Sequence, residues 1–236
     1  MTLKYHQVYK NEEGKRVPGV STIKNNLGWN TNVLVYWAVE ETKKGNDYTK
    51  VRDKAGSSGT LVHQMIADYL MGKETDFTEF SKNVIDIAEN SFLSFLDWEK
   101  NVEFKKNEGL IETPLVSEIC QFGGTPDYYV PMRKKGEKEW KWTLLDWKSG
   151  KDIYAEALVQ VVGGYTLLLE EQSNIIDQVI LLNIPKGEDD KFREIVINDV
   201  DVINNMNVIH ACQNLFVDLL NIHDYHKILN KVLKGV

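Results

Sequence analysis

The order of helix-like and strand-like segments is the feature of this sequence that most restricts its fold. Before Gly109 apolar residues recur with helical spacing, and after it short runs alternate or stay apolar, as strands do. The helices predicted before Gly109 cover residues 33–42, 60–71 and 78–104. The segments predicted after it are strands at 115–120, 125–130 and 140–147 in a β-meander, a helix at 154–170, strands at 177–184 and 192–197, and helices at 202–220 and 223–233. This order predicts an α/β (α+β) fold: a central mixed β-sheet flanked by helices, with an N-terminal helical region.

Local signals define several of these boundaries. Thr60 is the predicted N-cap of the second helix, which places His63 in its first turn, and Gly72 follows its end. Residues 122–124 are a predicted tight turn, and residues 43–54 a charged, flexible segment. No repeat or linker marks a boundary, so we expect a single domain over 1–236, with a mainly helical part (1–108), a sheet core (109–200) and C-terminal helices (201–236).

Composition excludes several classes of protein. Hydrophobic residues make up 42% of the chain and charged residues 27%, the balance of a folded soluble protein. The sequence has neither the ~18 consecutive apolar residues of a membrane span nor a signal peptide, so we expect a cytoplasmic protein without a membrane partner. Its two cysteines, Cys120 and Cys212, are too few for a disulfide framework, a four-cysteine zinc site or an iron–sulfur cluster.

The charge of the chain is acidic overall but locally basic. A net charge of −7 argues against a non-specific basic coat for nucleic acid. Segments 43–54 and 133–141 each hold five basic residues against two acidic ones. The first segment supplies the candidate DNA-binding residues Lys43, Lys44, Lys50, Arg52 and Lys54. Solvated segments without a role are an equally good interpretation of both.

Three charged residues on two predicted neighbouring strands are the strongest chemical signal. Asp127 lies in GGTPDYYV on one strand, and Asp146 and Lys148 lie two residues apart in LLDWKSGK on the next. A period of two places Asp146 and Lys148 on one face of the sheet and Trp147 on the other. Antiparallel pairing can bring Asp127 opposite Asp146, where a divalent cation would relieve the repulsion between the carboxylates. The alternative is a surface strand with an ordinary Asp–Lys ion pair, because short motifs also occur by chance.

Further motifs accompany this pair of strands in a fixed order. They are RVPGVSTI with Leu34 and Trp37 after it, GTLVH, GGTPD, LLDWKSGK and ALVQVVGGY, over about residues 17–170. This order resembles the RecB-like branch of the PD-(D/E)XK nuclease superfamily, which includes phage exonucleases and the mitochondrial genome maintenance exonuclease. The resemblance implies a restriction-endonuclease-like core, metal-dependent hydrolysis of phosphodiesters and DNA as the partner. A phage-encoded protein of this kind would act in the host cytoplasm.

Matched residue by residue, the resemblance also implies roles for single positions. The residues that match metal ligands, with Mg²⁺ or Mn²⁺ as the ion, are His63, Asp127, Asp146 and the carbonyl of Trp147. Lys148 matches the catalytic lysine, which would deprotonate or orient the attacking water and offset charge on the phosphate. Gln160 matches the glutamine of the following helix, which orders that lysine or the DNA backbone.

One expected site residue is displaced in this sequence. The family helix has a tyrosine four residues after the glutamine, whereas Tyr165 follows Gln160 by five. On a regular α-helix an offset of five lies about 140° round, against about 40° for an offset of four. We therefore expect Tyr165 to face away from the site unless a distortion of the helix re-aims it.

Other residues have two interpretations each. Glu118, on the strand before Asp127, is either a further metal ligand or an edge charge. Trp29, Tyr36 and Trp37 are either core residues or a wall on which DNA bases stack. Relatives that bind an iron–sulfur cluster through four cysteines are excluded.

Three functions remain open from the sequence. The leading one is a Mg²⁺- or Mn²⁺-dependent exonuclease in recombination, replication or DNA end processing. The alternatives are a structure- or site-specific endonuclease and a non-catalytic DNA-binding module on the same fold. The module is disfavoured because a degenerate copy would be expected to lose at least one of the matched residues. Some phage exonucleases form rings, so a homo-oligomer is open as well.

Overall fold

The computed structural model describes residues 7–187, 190–203 and 205–234. Its α-helices are α1 (Val20–Lys24), α2 (Thr31–Lys43), α3 (Tyr48–Leu70), α4 (Lys82–Glu99), α5 (Ala155–Leu158), α6 (Thr166–Glu171) and α7 (Val208–Leu233). A π-helical segment, Val159–Tyr165, connects α5 directly to α6. Its strands are β1 (Tyr9–Lys10), β2 (Arg16–Val17), β3 (Val102–Phe104), β4 (Leu110–Ile111), β5 (Leu115–Ser117), β6 (Phe122–Gly124), β7 (Tyr128–Lys134), β8 (Lys141–Lys148), β9 (Gln178–Asn183), β10 (Arg193–Asn198), β11 (Val202–Ile203) and β12 (Met206–Asn207).

The central sheet has six strands of mixed direction. Its order is β10-β9-β8-β7-β3, and β4 also pairs with β7. Strands β8 and β9 are parallel, whereas the other pairs are antiparallel. A parallel pair needs a long crossover, and the helices α5 and α6 with the π-helical segment between them supply it. The predicted mixed sheet is confirmed.

Alternating side chains give the sheet two buried faces. On β8, Leu144 packs with residues of α1, the π-helical segment and α7. Leu145 and Trp147 on the same strand pack with residues of α3 and α4. All three side chains are fully buried. The helices therefore flank the sheet on both faces, as the sequence predicts.

Helix α3 is longer than predicted at its N-terminal end. It begins at Tyr48, so the prediction of an N-cap at Thr60 is wrong. Asp47 caps the helix instead, because its side chain accepts a hydrogen bond from the N–H of the second helical residue at 3.0 Å. Gly59 lies close to the loop after β8, since a Cβ there would be 3.3 Å from Ser149 Oγ.

Tertiary contacts also change the bounds of other helices. Of the helix predicted at 78–104, only Lys82–Glu99 is helical, because Val102–Phe104 pair with β7. Two C-terminal helices were predicted, but β11 and β12 form a hairpin and α7 runs unbroken from Val208. The predicted helix at 33–42 and the end of α3 before Gly72 are confirmed. None of the described helices combines the length and apolar character that crossing a membrane takes.

The predicted β-meander is only partly correct. Strands β7 and β8 form the expected hairpin, but β5 and β6 form a separate two-stranded sheet. Residues 122–124, predicted as a turn, are strand β6, and the turn lies at 118–121. Gly123 is needed for packing rather than for turning, since a Cβ there would lie 2.4 Å from Tyr9 Cγ.

Candidate active site

The hairpin of β7 and β8 brings Asp127 beside Asp146. The register of the two strands places Asp127, directly before β7, opposite Asp146. Trp147 N donates a hydrogen bond to Asp127 Oδ2 at 3.0 Å, and Lys148 Nζ lies 2.6 Å from Asp146 Oδ2. Both carboxylates are buried, with 5% and 0% of their residues' surface exposed. The Asp146–Lys148 ion pair of the alternative interpretation is thus present, but it lies on a buried central strand rather than on a surface strand.

Helix α3 adds His63 to these carboxylates. Its Nδ1 lies 3.3 Å from Asp127 Oδ1 and 3.4 Å from Glu112 Oε1. Because α3 begins at Tyr48, His63 lies well inside the helix rather than in its first turn. The ring is also 6.0 Å from that of Trp147, centroid to centroid, which fixes the helix against the sheet at this point.

Glu112 is the acidic residue that the sequence did not reveal. It follows the two-residue strand β4, and its N–H donates a hydrogen bond to the Asp127 carbonyl at 3.0 Å. Its φ of +43° is in the left-handed region, which costs a residue with a side chain about 1 kcal/mol or more. A strand of two residues has too little pattern to predict, so no sequence signal placed Glu112 next to Asp127.

Burial and neighbouring charges shift the pKa values of this cluster. Burial raises the pKa of Asp146 to about 6, and repulsion from Asp127 adds to the effect. Burial also raises the pKa of Glu112 to about 7, although its contact with His63 opposes the shift. Burial would lower the pKa of His63, but attraction to Asp127 and Glu112 outweighs it and raises that pKa to about 10. Burial would likewise lower the pKa of Lys148, but attraction to the two aspartates raises it.

Buried oxygen atoms without hydrogen-bond donors suit this cluster to a cation. Among the described residues, Glu112 Oε1 and both side-chain oxygens of Asp146 are buried without a hydrogen bond of good geometry, although Lys148 Nζ contacts one of them. One atom each of His63, Glu112 and Asp127 lie within 4.8 Å of one another. Carboxylate oxygens are the ligands that Mg²⁺ and Mn²⁺ prefer. The donor set therefore fits a divalent cation.

The four residues that match metal ligands differ in their contacts. His63 and Asp127 lie together, with Glu112 as the third member of their group. Asp146 adjoins them on the neighbouring strand, and its role as a ligand stays a prediction. Trp147 contacts Asp127 through its N–H, and the use of its carbonyl as a ligand stays a prediction too.

A distortion of the helix turns Tyr165 toward Gln160, which is the exception that the sequence-based expectation allowed. The segment from Val159 is a π-helix, in which residues five apart are hydrogen-bonded neighbours. Gln160 Nε2 donates a hydrogen bond to Tyr165 Oη at 2.9 Å and lies 3.5 Å from Ser21 Oγ on α1. Burial and the nearby carboxylates of Asp146 and Asp127 raise the pKa of the Tyr165 hydroxyl, which keeps its proton.

Glu118 makes its contacts elsewhere. It lies in the turn between β5 and β6, and its Oε1 accepts a hydrogen bond from Glu12 N at 2.9 Å. Its carboxylate therefore holds the loop of the N-terminal hairpin in place. This contact agrees with the interpretation of Glu118 as an edge charge. The acidic residue that lies beside Asp127 is Glu112.

Comparison of the chain with models of known protein families gives no match, and comparison with curated proteins gives none either.

An open cleft of about 630 Å³ leads to the cluster. One wall comes from α1, the turn after it and the start of α2, and the other from the loop after β8 and the start of α5. His63, Lys148 and Gln160 line the cleft, and Lys24 adds a second lysine. Burial and the charge of Lys148 lower the pKa of Lys24, so the two ammonium groups influence each other. Clefts of this size hold a small ligand of the dimensions of one or two nucleotides.

The basic segment at 43–54 forms the end of α2, the turn at 44–47 and the first turns of α3, so most of it is helical. Four of its cations have acidic neighbours, in the pairs Lys43–Glu40 (2.7 Å), Lys44–Glu41 (2.9 Å), Lys50–Asp47 (4.0 Å) and Arg52–Asp53 (2.8 Å). Exposed pairs of this kind are weak and exchange readily with other partners. None of these cations, nor Lys54, is among the described residues that line the cleft. Their contact with DNA stays a prediction.

The aromatic residues near the cleft differ in exposure. Trp29 and Tyr36 are 54% and 68% exposed, whereas Trp37 is half-buried. Helix α2 has no fully buried residue, although Val33, Leu34 and Val35 are apolar. Trp29 and Tyr36 are thus available for stacking, and the core interpretation fails for both.

Proposed function

We propose that this chain is a Mg²⁺- or Mn²⁺-dependent deoxyribonuclease of the PD-(D/E)XK type, which hydrolyses phosphodiester bonds. One observation carries the proposal: buried carboxylates, a histidine and a lysine converge where β8 ends at the cleft. The residues of this cluster are His63, Glu112, Asp127, Asp146 and Lys148. Three carboxylates share only two cationic groups, His63 and Lys148, so a purely structural role leaves excess negative charge in a buried site, which costs several kcal/mol. Binding of a cation and an anionic substrate removes that penalty.

The residues of the cluster have different proposed roles, which follow from their chemical groups. His63, Glu112 and Asp127 would hold the cation, with Asp146 beside them. A bound divalent cation would polarise the phosphate and lower the pKa of a water molecule. Lys148 Nζ, held by Asp146, orients the water or offsets charge that builds on the phosphate oxygens. These interactions are strongest in a site that is shielded from bulk water, as the burial of both aspartates indicates.

Gln160 and Tyr165 are positioning residues in this proposal. The hydrogen bond from Gln160 Nε2 to Tyr165 Oη fixes the amide where it lines the cleft together with Lys148. The amide can then order the ammonium group of Lys148 or the substrate backbone. The π-helical turn is what allows both residues to reach the same place.

Among nucleases, an exonuclease of recombination, replication or end processing is the proposed form, because the motif order resembles that class. DNA is the proposed partner and the cytoplasm the proposed compartment. A homo-oligomer and a structure- or site-specific endonuclease remain alternatives.

Linear and covalently closed circular DNA separate the alternatives. We expect linear DNA to be degraded with Mg²⁺ or Mn²⁺ and to survive in the presence of a chelator. Cleavage of circles would instead indicate an endonuclease, and binding without any cleavage would indicate a non-catalytic module.

Lys148→Ala tests the mechanism within the same assay. We expect at least about 10²-fold loss of cleavage with an unchanged circular dichroism spectrum, since the lysine acts on the transition state. Lys82→Ala, an exposed lysine on α4, is the matched control and should retain full activity. Equal activity of the two variants would refute the role given to Lys148.

A further inference from the structure

A second groove, of about 570 Å³, lies beside the active-site cleft. It is bounded by the β1–β2 hairpin, the start of α1, the π-helical segment and the second half of α7. Tyr9, Arg16, Ser21, Tyr165 and Lys227 are among its lining residues. The cleavage chemistry described above does not use this space.

The groove carries charge of one sign. Arg16, His223 and Lys227 line it, whereas none of its described lining residues has a carboxylate. Lys227 Nζ has an acidic neighbour, Asp224, at 3.4 Å, but this pair is exposed on α7 and therefore weak. Burial and the charge of Lys227 lower the pKa of His223, so the described lining holds two positive charges, on Arg16 and Lys227, and no negative one, in a chain with a net charge of −7.

Three hydroxyl-bearing residues connect the groove to the catalytic cluster. Tyr165 lines the groove while its hydroxyl accepts the hydrogen bond from Gln160, which lines the cleft. Ser21, also on the groove, has its Oγ 3.5 Å from the same amide. Tyr9 is held toward the cluster by the contact of its hydroxyl with Thr125 Oγ1 at 2.9 Å. Cleft and groove therefore meet at Gln160.

We propose that this groove is a phosphate-binding subsite for the substrate strand beyond the bond that is cut, with Arg16 and Lys227 as its cations. The inference rests on the proposed nuclease function and extends it. A strand that lies over the cluster has one side in the cleft near Lys24 and Lys148 and its other side in the groove. The volume accommodates one or two nucleotides.

The lining has the chemistry that a nucleotide needs. The guanidinium of Arg16 can form two parallel hydrogen bonds to a phosphate, and Lys227 provides a point charge. Ser21 and Thr22 offer hydroxyl groups, while Val8 and Val20 offer apolar surface for a sugar or base. The phosphate can be a terminal phosphate of the strand or an internal phosphodiester, which have this chemistry in common.

The test compares two double variants that lose equal charge. Arg16→Ala with Lys227→Ala removes the cations of the groove, and Lys82→Ala with Lys100→Ala removes two exposed lysines at the ends of α4. All four residues are exposed, so both proteins should fold. Binding of a short fluorescent single-stranded DNA is measured in a chelator at several salt concentrations. The strand carries a 5′-phosphate, a 3′-phosphate or neither.

We expect the groove variant to bind at least about tenfold more weakly than the control variant. The slope of log K against log salt should fall by about 1.4, at about 0.7 per phosphate contact on a single strand. A loss confined to one phosphorylated end identifies a terminal phosphate, and an equal loss on all three strands identifies an internal phosphodiester. Both outcomes support the subsite.

Equal binding by the two double variants would overturn this inference while the nuclease proposal stands, provided that the wild-type protein cleaves DNA. Failure of the wild-type protein both to bind and to cleave DNA would refute the nuclease proposal itself. The two failures are therefore distinguishable in one set of measurements.

Discussion

Glu112→Gln should stabilise the metal-free protein at alkaline pH while weakening the binding of a divalent cation. The carboxylate of Glu112 is buried beside Asp127, and its pKa is raised to about 7 from an ordinary value of 4.5. At about 1.4 kcal/mol per pKa unit, keeping this group ionised in the folded protein costs up to about 3 kcal/mol. Because His63 shares the charge, we expect a gain of about 1 to 3 kcal/mol for the glutamine variant.

The sign of the effect depends on pH in a defined way. A group whose pKa is higher in the folded protein than in the unfolded chain stabilises the fold at pH values below its unfolded-state pKa. That stability is lost as the pH rises through the folded-state pKa. The wild-type protein should therefore lose this contribution between about pH 4.5 and pH 7. The difference between Glu112→Gln and wild type should be close to zero at pH 4.5 and complete at pH 8.

Urea unfolding in a chelator at these two pH values measures the difference. Glu89→Gln, at an exposed position on α4, is the matched control and should match wild type at both. Mg²⁺ at about 1,000 times its Kd should reverse the order at pH 8, since an ion at that concentration stabilises a folded protein by about 4.1 kcal/mol. A glutamine variant no more stable than wild type at pH 8 in the chelator would refute the reasoning.

Three further changes have defined outcomes. Tyr165→Phe removes the hydrogen bond to Gln160, which is worth about 1 kcal/mol. It should slow single-turnover cleavage about fivefold while the circular dichroism spectrum stays unchanged. An unchanged cleavage rate would show that the hydroxyl has no part in the mechanism. Gly163→Ala would bring a Cβ to 2.6 Å from a carbonyl of α7 and should lower the free energy of unfolding by about 1 to 3 kcal/mol. Gly187→Ala, whose Cβ would have no atom of the described residues within 4 Å, should change it by under about 0.5 kcal/mol. Mg²⁺ should raise the melting temperature of wild type but not of Asp127→Asn, and equal shifts in the two proteins would exclude Asp127 as a ligand.

The parts of the site that lie on regular strands could be predicted from the sequence. Asp146 and Lys148 lie two positions apart on a strand whose side chains alternate with a period of two, so both are on one face. The hairpin that brings Asp127 beside them follows from the short connection between β7 and β8. Pattern and geometry agree there. His63 was identified through the GTLVH motif, because a single helical histidine has no spatial signal of its own.

The parts that escaped prediction depend on contacts distant in sequence. Glu112 reaches the cluster through β4, a strand of only two residues with a left-handed residue after it. The start of α3 is set by Asp47, whose side chain accepts a hydrogen bond from Thr49 N, whereas the sequence pattern predicts the capping residue at Thr60. Val102–Phe104 continue a helical apolar pattern but pair with β7 instead, because the edge of the sheet offers them hydrogen bonds.

The π-helical turn between Gln160 and Tyr165 changes how this segment must be aligned with other proteins. On a regular α-helix, a glutamine and a tyrosine are neighbours when the tyrosine follows four positions later. In this chain the tyrosine follows five positions later. Against the proposed PD-(D/E)XK relatives, a gapless alignment would therefore place the wrong residue at the tyrosine position. An alignment with a one-residue gap inside 161–164 would pair the two tyrosines.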